Sequence, residues 1–361
     1  MKKAVRILLL LLAALLVIVL GYVAYVFIAY HRIPDHQALD VRPGESAGET
    51  VRAFAGDELT VLSWNIGFGA YEDDYSFFMD GGSESWAWSR ERLNENLSGI
   101  SAELKSANAD LYFLQEVDHD STRTYHVDER EFLYAAQPSY ASVYAVNYDS
   151  PFLFYPLHQP HGSSRAGLMT LTKLAVSSAE RRSLPVEAGV TKLVDLDRCY
   201  SVSRVPVEGG RELCLYNLHL SAYSSDGSIA DEQLRMLLSD MQAEVERGNY
   251  VIGGGDFNKD LLPGGSAAYF GVSAEGYTWA QPIRTDLIDA TSLTLVAPVD
   301  PAAPVASCRN ADAPYSPAQL TLTVDGFLVS PNVTVLSGEV LDFGFAYSDH
   351  NPVRMTIRLG E

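Results

Sequence analysis

Short apolar runs rich in β-branched and aromatic residues recur along this chain between clusters of turn residues, a pattern that predicts strands. The runs fall at Leu59–Ser63, Leu111–Leu114, Ala141–Val146, Leu168–Thr172, Leu213–Leu218, Tyr250–Gly253, Val324–Val329 and Val353–Arg358. Two longer segments place apolar residues at helical spacing. Leu93, Leu97, Ile100 and Leu104 predict a helix over Trp88–Ala107, and Leu234, Leu237, Leu238 and Met241 predict one over Ala230–Arg247. Five prolines punctuate Val296–Pro317, which reads as a long surface loop carrying Cys308. The chain has no internal repeat and no long low-complexity tract.

The amino terminus follows a different pattern. Lys2, Lys3 and Arg6 precede 24 residues, Ile7 to Tyr30, without a charge. As a helix that run would reach about 36 Å, enough for a bilayer core of about 30 Å. A cleaved signal has a shorter apolar region, about 7–15 residues, and a small-residue cleavage site, which this run lacks. Length therefore favours an uncleaved anchor. The basic residues before it keep the amino terminus cytoplasmic and place the rest outside, as a single-pass protein of the cell membrane. The expected divisions are a basic tail over 1–6, a transmembrane helix over 7–30, a linker over 31–57 and a catalytic domain over 58–361. The linker is polar and holds Pro34, Pro43, Gly44 and Gly48, so it reads as a tether.

The net charge is −20 with histidines neutral. Such acidity disfavours both a broad nucleic-acid face and adsorption of the domain to anionic lipid. The three cysteines have no metal-ligand spacing. Cys199 and Cys214 flank Glu208-Gly209-Gly210, a candidate hairpin turn. A disulfide between them and free buried thiols both fit this spacing.

Polar residues stand at the ends of several apolar runs. They are Asn65 in Leu-Ser-Trp-Asn-Ile-Gly, Glu116 in Phe-Leu-Gln-Glu-Val, and His219 in Tyr-Asn-Leu-His-Leu. Asp256 and Asn258 share Gly-Gly-Asp-Phe-Asn, Asp325 lies in Val-Asp-Gly-Phe, and Asp349 and His350 lie in Ser-Asp-His-Asn-Pro. Carboxylates and amides suit a hard divalent cation, and paired Asp and His suit proton transfer. Together they meet the needs of metal-assisted attack of water on a phosphate ester. Gly253-Gly254-Gly255 lacks the Lys-Ser/Thr of a nucleotide P-loop and reads as turn and packing glycines.

This ordered set of motifs, from about Leu59 to Arg358, resembles the endonuclease/exonuclease/phosphatase superfamily, which includes deoxyribonuclease I, abasic-site endonucleases, inositol polyphosphate 5-phosphatases and neutral sphingomyelinases. The resemblance implies an α/β fold: a four-layer sandwich of two packed mixed β-sheets flanked by helices, here preceded by one transmembrane helix. It implies that Glu116 binds the cation, usually Mg²⁺, with Asn65 and Asp349 beside it; oxygen-rich ligation also admits Mn²⁺ or Ca²⁺. Asp256 then orients or deprotonates the attacking water, and Asn258 binds a phosphate oxygen. Asp325 holds His350, an acid/base or phosphate-stabilising group, and His219 lies near the phosphate or leaving group. The implied activity is phosphodiesterase or phosphatase, with a membrane-tethered nuclease and a non-catalytic binding module on the same fold as alternatives.

The chain departs from its relatives at two places. Thr172-Lys173 stands where related sequences often carry Ser-Arg. Asn258-Lys259-Asp260 replaces the Asn-Tyr-Arg usual in the inositol phosphatase branch, which lowers that branch. Arg165 either reaches substrate phosphate or forms a salt bridge. The aromatics Tyr71, Tyr75, Phe77, Phe78, Trp86 and Trp88 either rim the substrate or pack an insertion.

Overall fold

The computed structural model describes residues 2–45, 52–187, 196–222, 228–277 and 279–361. Its strands in chain order are β1 (Gln37–Ala38), β2 (Val41–Arg42), β3 (Glu58–Asn65), β4 (Leu111–Asp118), β5 (Ala141–Leu153), β6 (Gly162–Thr172), β7 (Ser178–Ser183) and β8 (Cys199–Pro206). They continue as β9 (Glu212–His219), β10 (Tyr250–Asp256), β11 (Thr294–Val296), β12 (Cys308–Arg309), β13 (Thr321–Leu322), β14 (Asp325–Val329), β15 (Val333–Val340) and β16 (Val353–Leu359). One seven-stranded sheet has the order β1-β7-β8-β9-β10-β14-β11, and a second has β15-β16-β3-β4-β6-β5-β2. Both are mixed: β9 and β10 run parallel in the first, β3 and β4 in the second, and their other pairings are antiparallel.

Strand alternation makes the layers. Val61, Leu111, Phe113, Leu215, Ile252, Phe327 and Met355 form the core between the sheets. Their neighbours face outward and are covered by helices. Leu62, Tyr112 and Met169 pack against Leu93, Leu97, Ile100 and Leu104 of the helix Arg90–Ala107. Val251, Tyr216 and Leu328 pack against Leu234, Leu237, Leu238 and Met241 of the helix Ser228–Glu246. The expected four-layer sandwich is therefore what the chain forms. The first helix begins two residues later than predicted because Ser89 is its N-cap, accepting from the Arg92 N–H, and it ends on Asn108 in the left-handed region.

Three expectations need correction. The linker is not a free tether, because β1 and β2 extend the edges of the two sheets by pairing with β7 and β5. Buried Arg181 also reaches the Pro34 carbonyl at 3.3 Å and the Asp197 carbonyl at 2.7 Å. The Val296–Pro317 segment is not all surface loop: β12 pairs with β13, and Cys308 bridges to His350. Arg309 is buried there because its guanidinium donates to the carbonyls of Glu72, Tyr75, Asn310 and Ala313. The triple glycine is strand rather than turn. A Cβ on Gly254 would lie 2.7 Å from the Phe327 ring and 2.8 Å from that of Phe113, so this glycine lets the two sheets close.

The cysteines are all free and buried. The β8–β9 hairpin does form, but its register puts Cys214 opposite Arg204, whereas Cys199 lies beyond the Tyr200–Leu218 pair. Extended strand geometry keeps the two thiols too far apart for a disulfide.

A buried polar link around Asn217 joins the sheets. Asn217 of β9 donates from Nδ2 to the carbonyls of Leu114 at 3.2 Å and Met169 at 3.1 Å, and its Oδ1 accepts from Gln115 Nε2 at 2.8 Å. Asn217 and Gln115 are both fully buried. The link sits beside the point where β4 slips register against β6, between Leu114 and Val117. Asn217→Leu leaves these groups unpaired away from water, and each buried unsatisfied group costs about 1–3 kcal/mol. Chemical unfolding of the full chain is expected to register a loss of about 2–4 kcal/mol.

Candidate active site

The first sheet delivers three carboxylate and imidazole groups side by side. Parallel pairing of β9 with β10 sets His219 against Asp256, and antiparallel pairing of β10 with β14 sets Asp256 against Asp325. The second sheet delivers Asn65 at the end of β3, Glu116 at the β4 bulge, and Asp349 and His350 just before β16. Glu116 has φ +55°, which is rare for a residue with a side chain, and it occurs where the ladder is broken.

Asn65 ties the two groups together. Its Nδ2 lies 3.2 Å from Glu116 Oε1 and 3.1 Å from Asp256 Oδ2, while its Oδ1 accepts from Gly67 N at 3.0 Å. His350 Nδ1 is 2.8 Å from Asp325 Oδ2, which also accepts from Ser307 Oγ at 2.7 Å. Asp256 Oδ2 lies 3.4 Å from His219 Nε2 and 3.8 Å from His350 Nε2. Asn258, at φ +50°, donates its backbone N–H to Asp256 Oδ1 at 2.7 Å and its amide to the Leu220 carbonyl at 2.8 Å. An amide has two such hydrogens, so one stays available to a ligand.

Burial and neighbouring charge push these groups apart in acidity. Burial lifts Asp256 to about 6, reinforced by Asp325 and opposed by His350 and by the Asn258 and Asn65 hydrogen bonds. Burial lifts Asp349 to about 7, with Glu116 adding to the shift. Burial acts against charge on His350, but Asp325, Cys308 and Asp349 overcome it and hold the imidazole well above its ordinary value. Burial, with Arg198 and His350, drives His219 well below. The site thus holds one charged and one neutral histidine within reach of one carboxylate.

Eight of the nine residues read from sequence meet here. Arg165 does not: its guanidinium pairs with Asp149 Oδ2 at 3.1 Å and is half exposed, so the salt bridge is what the geometry shows. Seven of the eight, all but the buried Asp325, line a cavity of about 720 Å³, together with Arg123, Asn147, His161, Arg198, Arg309 and Asn310. Sequence reading missed these. Arg123 had one signal, Asp118 in the acidic run after Glu116; it makes a two-pronged pair with Asp118 at 2.8 and 3.0 Å and lies 3.8 Å over the Phe68 ring. The aromatic stretch packs in the core and reaches the cavity wall. Tyr71, Tyr75 and Phe77 are core, and Tyr71, Phe77 and Phe78 also face the cavity.

In metal-free protein, histidine NMR titration is expected to show His350 charged well past neutrality and His219 neutral well into acid. Asp325→Asn should bring His350 down, because it removes the facing charge. An unmoved His350 resonance would show that Asp325 does not hold its proton.

The chain matches the model of the endonuclease/exonuclease/phosphatase family over residues 62–350. No curated protein sequence matches it. Among solved structures it is similar to an endonuclease/exonuclease/phosphatase from Beutenbergia cavernae, at 21% identity and TM-score 0.59, covering 84% of this chain and 72% of that one. It is similar to ANGEL2, described as a 2′,3′-cyclic phosphatase, at 17% identity and TM-score 0.56, covering 92% of this chain and 100% of that one. The human Nocturnin catalytic domain, solved with a bound sulfate anion, aligns at 18% identity and TM-score 0.52, covering 89% and 97%. With the family match spanning most of its length, the chain belongs to the endonuclease/exonuclease/phosphatase family.

Proposed function

We propose that this protein is a divalent-metal-dependent phosphoester hydrolase, anchored in the cell membrane by its N-terminal helix and acting outside the cytoplasm. One observation carries the reading: Asp256 sits between the Asn65 amide, which also binds Glu116, on one side and a hydrogen-bonded Asp–His pair on the other. That division separates cation binding from proton transfer.

Glu116 and Asp349, with Asn65 beside them, would hold the cation. The donor set fits a hard ion: Asp349 is a buried carboxylate raised to about 7 by burial and by Glu116, a penalty that a cation relieves. When bound, Mg²⁺ (or Mn²⁺ or Ca²⁺) neutralises phosphoryl charge and stabilises the departing oxygen. Asp256, Asp325 and His350 also bring ligand atoms within 4.8 Å of one another. Asp325 Oδ2 already takes hydrogen bonds from both His350 and Ser307, so we assign this trio to proton work.

Asp256 orients the attacking water and takes its proton; a value of about 6 leaves it ionised at neutral pH yet basic enough to serve. The water oxygen bonds to phosphorus, the ester P–O bond breaks, and the departing oxygen leaves with a proton from solvent. His350, charged and fixed by Asp325, presents Nε2–H to a phosphoryl oxygen. His219 is neutral and so donates a hydrogen bond rather than a proton. The sulfate in the Nocturnin structure and the cyclic phosphatase activity in the description of ANGEL2 support a tetrahedral oxyanion as the common ligand type.

The test is turnover by the full chain in detergent across DNA, RNA, inositol phosphates, phospholipids and a generic phosphodiester, with Mg²⁺ and with chelator. Turnover is expected only with metal. Asp256→Asn should lose about 10²–10⁴-fold while retaining metal, as removal of a general base does. Glu116→Gln should lose both activity and metal affinity. Activity that survives chelation or Asp256→Asn overturns the reading.

A second expectation concerns pH. Asp256 and Asp349 are raised above their usual 3.8, so the metal-free fold binds protons more tightly than the unfolded chain. The stability they contribute is full below about pH 4 and is lost as pH rises through about 6 and 7. Bound cation favours the ionised forms instead. Mg²⁺ should therefore raise the melting temperature more at pH 8 than at pH 5, and an equal rise at both would contradict the carboxylate site.

A further inference from the structure

The mouth of the cavity is apolar and is built against the N-terminal helix. Between β5 and β6 the chain runs Leu153-Phe154-Tyr155-Pro156-Leu157, and Phe154, Tyr155 and Leu157 are 52%, 70% and 85% exposed. Met79, at 58% exposure, faces the same opening across Phe78, whose ring lies 5.7 Å from that of Tyr155. All of these side chains line the cavity that ends on Asp256, Asp349 and His350, and so does Tyr22 of the N-terminal helix. An exposed group of large apolar residues is not what a solvent-facing mouth requires.

The helix is fixed to this rim. The Tyr22 hydroxyl donates to the Phe152 carbonyl at 3.1 Å, and the Tyr25 hydroxyl accepts from the Phe152 N–H at 3.0 Å. Tyr22 and Phe154 meet edge to face, with centroids 5.0 Å apart. The helix runs from Lys2 to Ala29 and is long and apolar enough to cross a membrane. Tyr22 lies seven residues before its end, roughly 10 Å along the axis at 1.5 Å per residue. A rim attached at Tyr22 therefore meets the helix near the outer end of the stretch that an apolar layer of about 30 Å would cover. The polar catalytic cluster lies deeper in the domain, beyond the rim.

Charge at the rim agrees with this placement. No Lys or Arg occurs between Asn147 and Gly162, or between Ser76 and Ser85. With a chain of net charge −20, attraction to anionic headgroups cannot seat this surface. Burial of the apolar rim beside its own anchor can, and it needs no particular headgroup charge.

We propose that the rim is seated in the outer leaflet and that the site hydrolyses the phosphoester of a lipid still held in the bilayer. The acyl region remains in the leaflet against Phe154, Tyr155 and Leu157, while the phosphate enters the cavity. Water adds to phosphorus, the lipid P–O ester bond breaks, and the departing oxygen takes a proton. This inference rests on the hydrolase reading above and narrows its substrate.

The full chain is reconstituted in zwitterionic phosphatidylcholine vesicles carrying trace labelled phospholipids, with a soluble aryl phosphodiester as the reference substrate. Wild type is expected to turn over lipid, and Phe154→Ser/Leu157→Ser to lower the lipid-to-soluble turnover ratio at least tenfold. An unchanged ratio overturns the proposal. So does a wild type that cleaves the soluble ester, or RNA or DNA, but no vesicle lipid, while the hydrolase reading stands. Failure on every substrate overturns the hydrolase reading instead. Placement is tested independently of turnover. The native thiols are buried, so Leu157→Cys takes an environment-sensitive fluorophore selectively. The label should shift to the emission of an apolar medium in vesicles, at low and high salt alike; water-like emission overturns the seating of the rim.

Discussion

The active site depends on how two sheets are held face to face, and the closest constraint on that contact is polar. Asn217 crosses from the first sheet to the Leu114 and Met169 carbonyls of the second, and Gln115 completes the link. The apolar core around it would tolerate small slides between the sheets, since burial has no direction. Hydrogen bonds in a dry interior do have direction, and leaving them unmade is costly. They fix the sheets in register next to the β4 bulge, and the bulge in turn aims Glu116 at Asn65. Asn65 then reaches Asp256 on the opposite sheet. The chain of contacts from Asn217 to Asp256 makes residues from two sheets into one site.

The same dryness sets the chemistry. In water, Asp256 and Asp349 would be ordinary acids, and His219 and His350 would titrate alike. Within the domain, burial raises both carboxylates. The histidines separate because Asp325 faces one, while Arg198 and the charged His350 face the other. Two imidazoles of the same sequence type thus take opposite protonation states across one carboxylate.

The candidate residues were legible because each ends an apolar run, and a strand end is where a sheet hands a polar group to its edge. The layers were legible for a related reason: alternation along β3, β4 and β10 separates the inner core from the helix-covered faces. The misses share another cause. β1 and β2 are two residues each, too short to show a period. β7 reads as polar because one of its two buried members, Arg181, is satisfied by backbone carbonyls rather than by apolar neighbours. β8 interleaves small buried serines, Ser201 and Ser203, which dilute its apolar pattern. Arg309 lay in a proline-rich segment and is buried only because four distant or local carbonyls converge on it. Arg165 fails for the opposite reason: an arginine at the right place in sequence points outward to Asp149. Convergence of backbone carbonyls and the direction of a side chain are tertiary facts, without a local signature.

The proposed mechanism divides the labour: Glu116 and Asp349 would hold a cation, and Asp325 with His350 would hold a proton. Diffraction from crystals grown with Mn²⁺, measured at the manganese edge, locates the ion directly. The account predicts one strong anomalous peak bound by Glu116 and Asp349 beside Asn65, with the His350–Asp325 hydrogen bond intact. A peak ligated by Asp256, Asp325 and His350 together, with that hydrogen bond replaced by metal bonds, would contradict it.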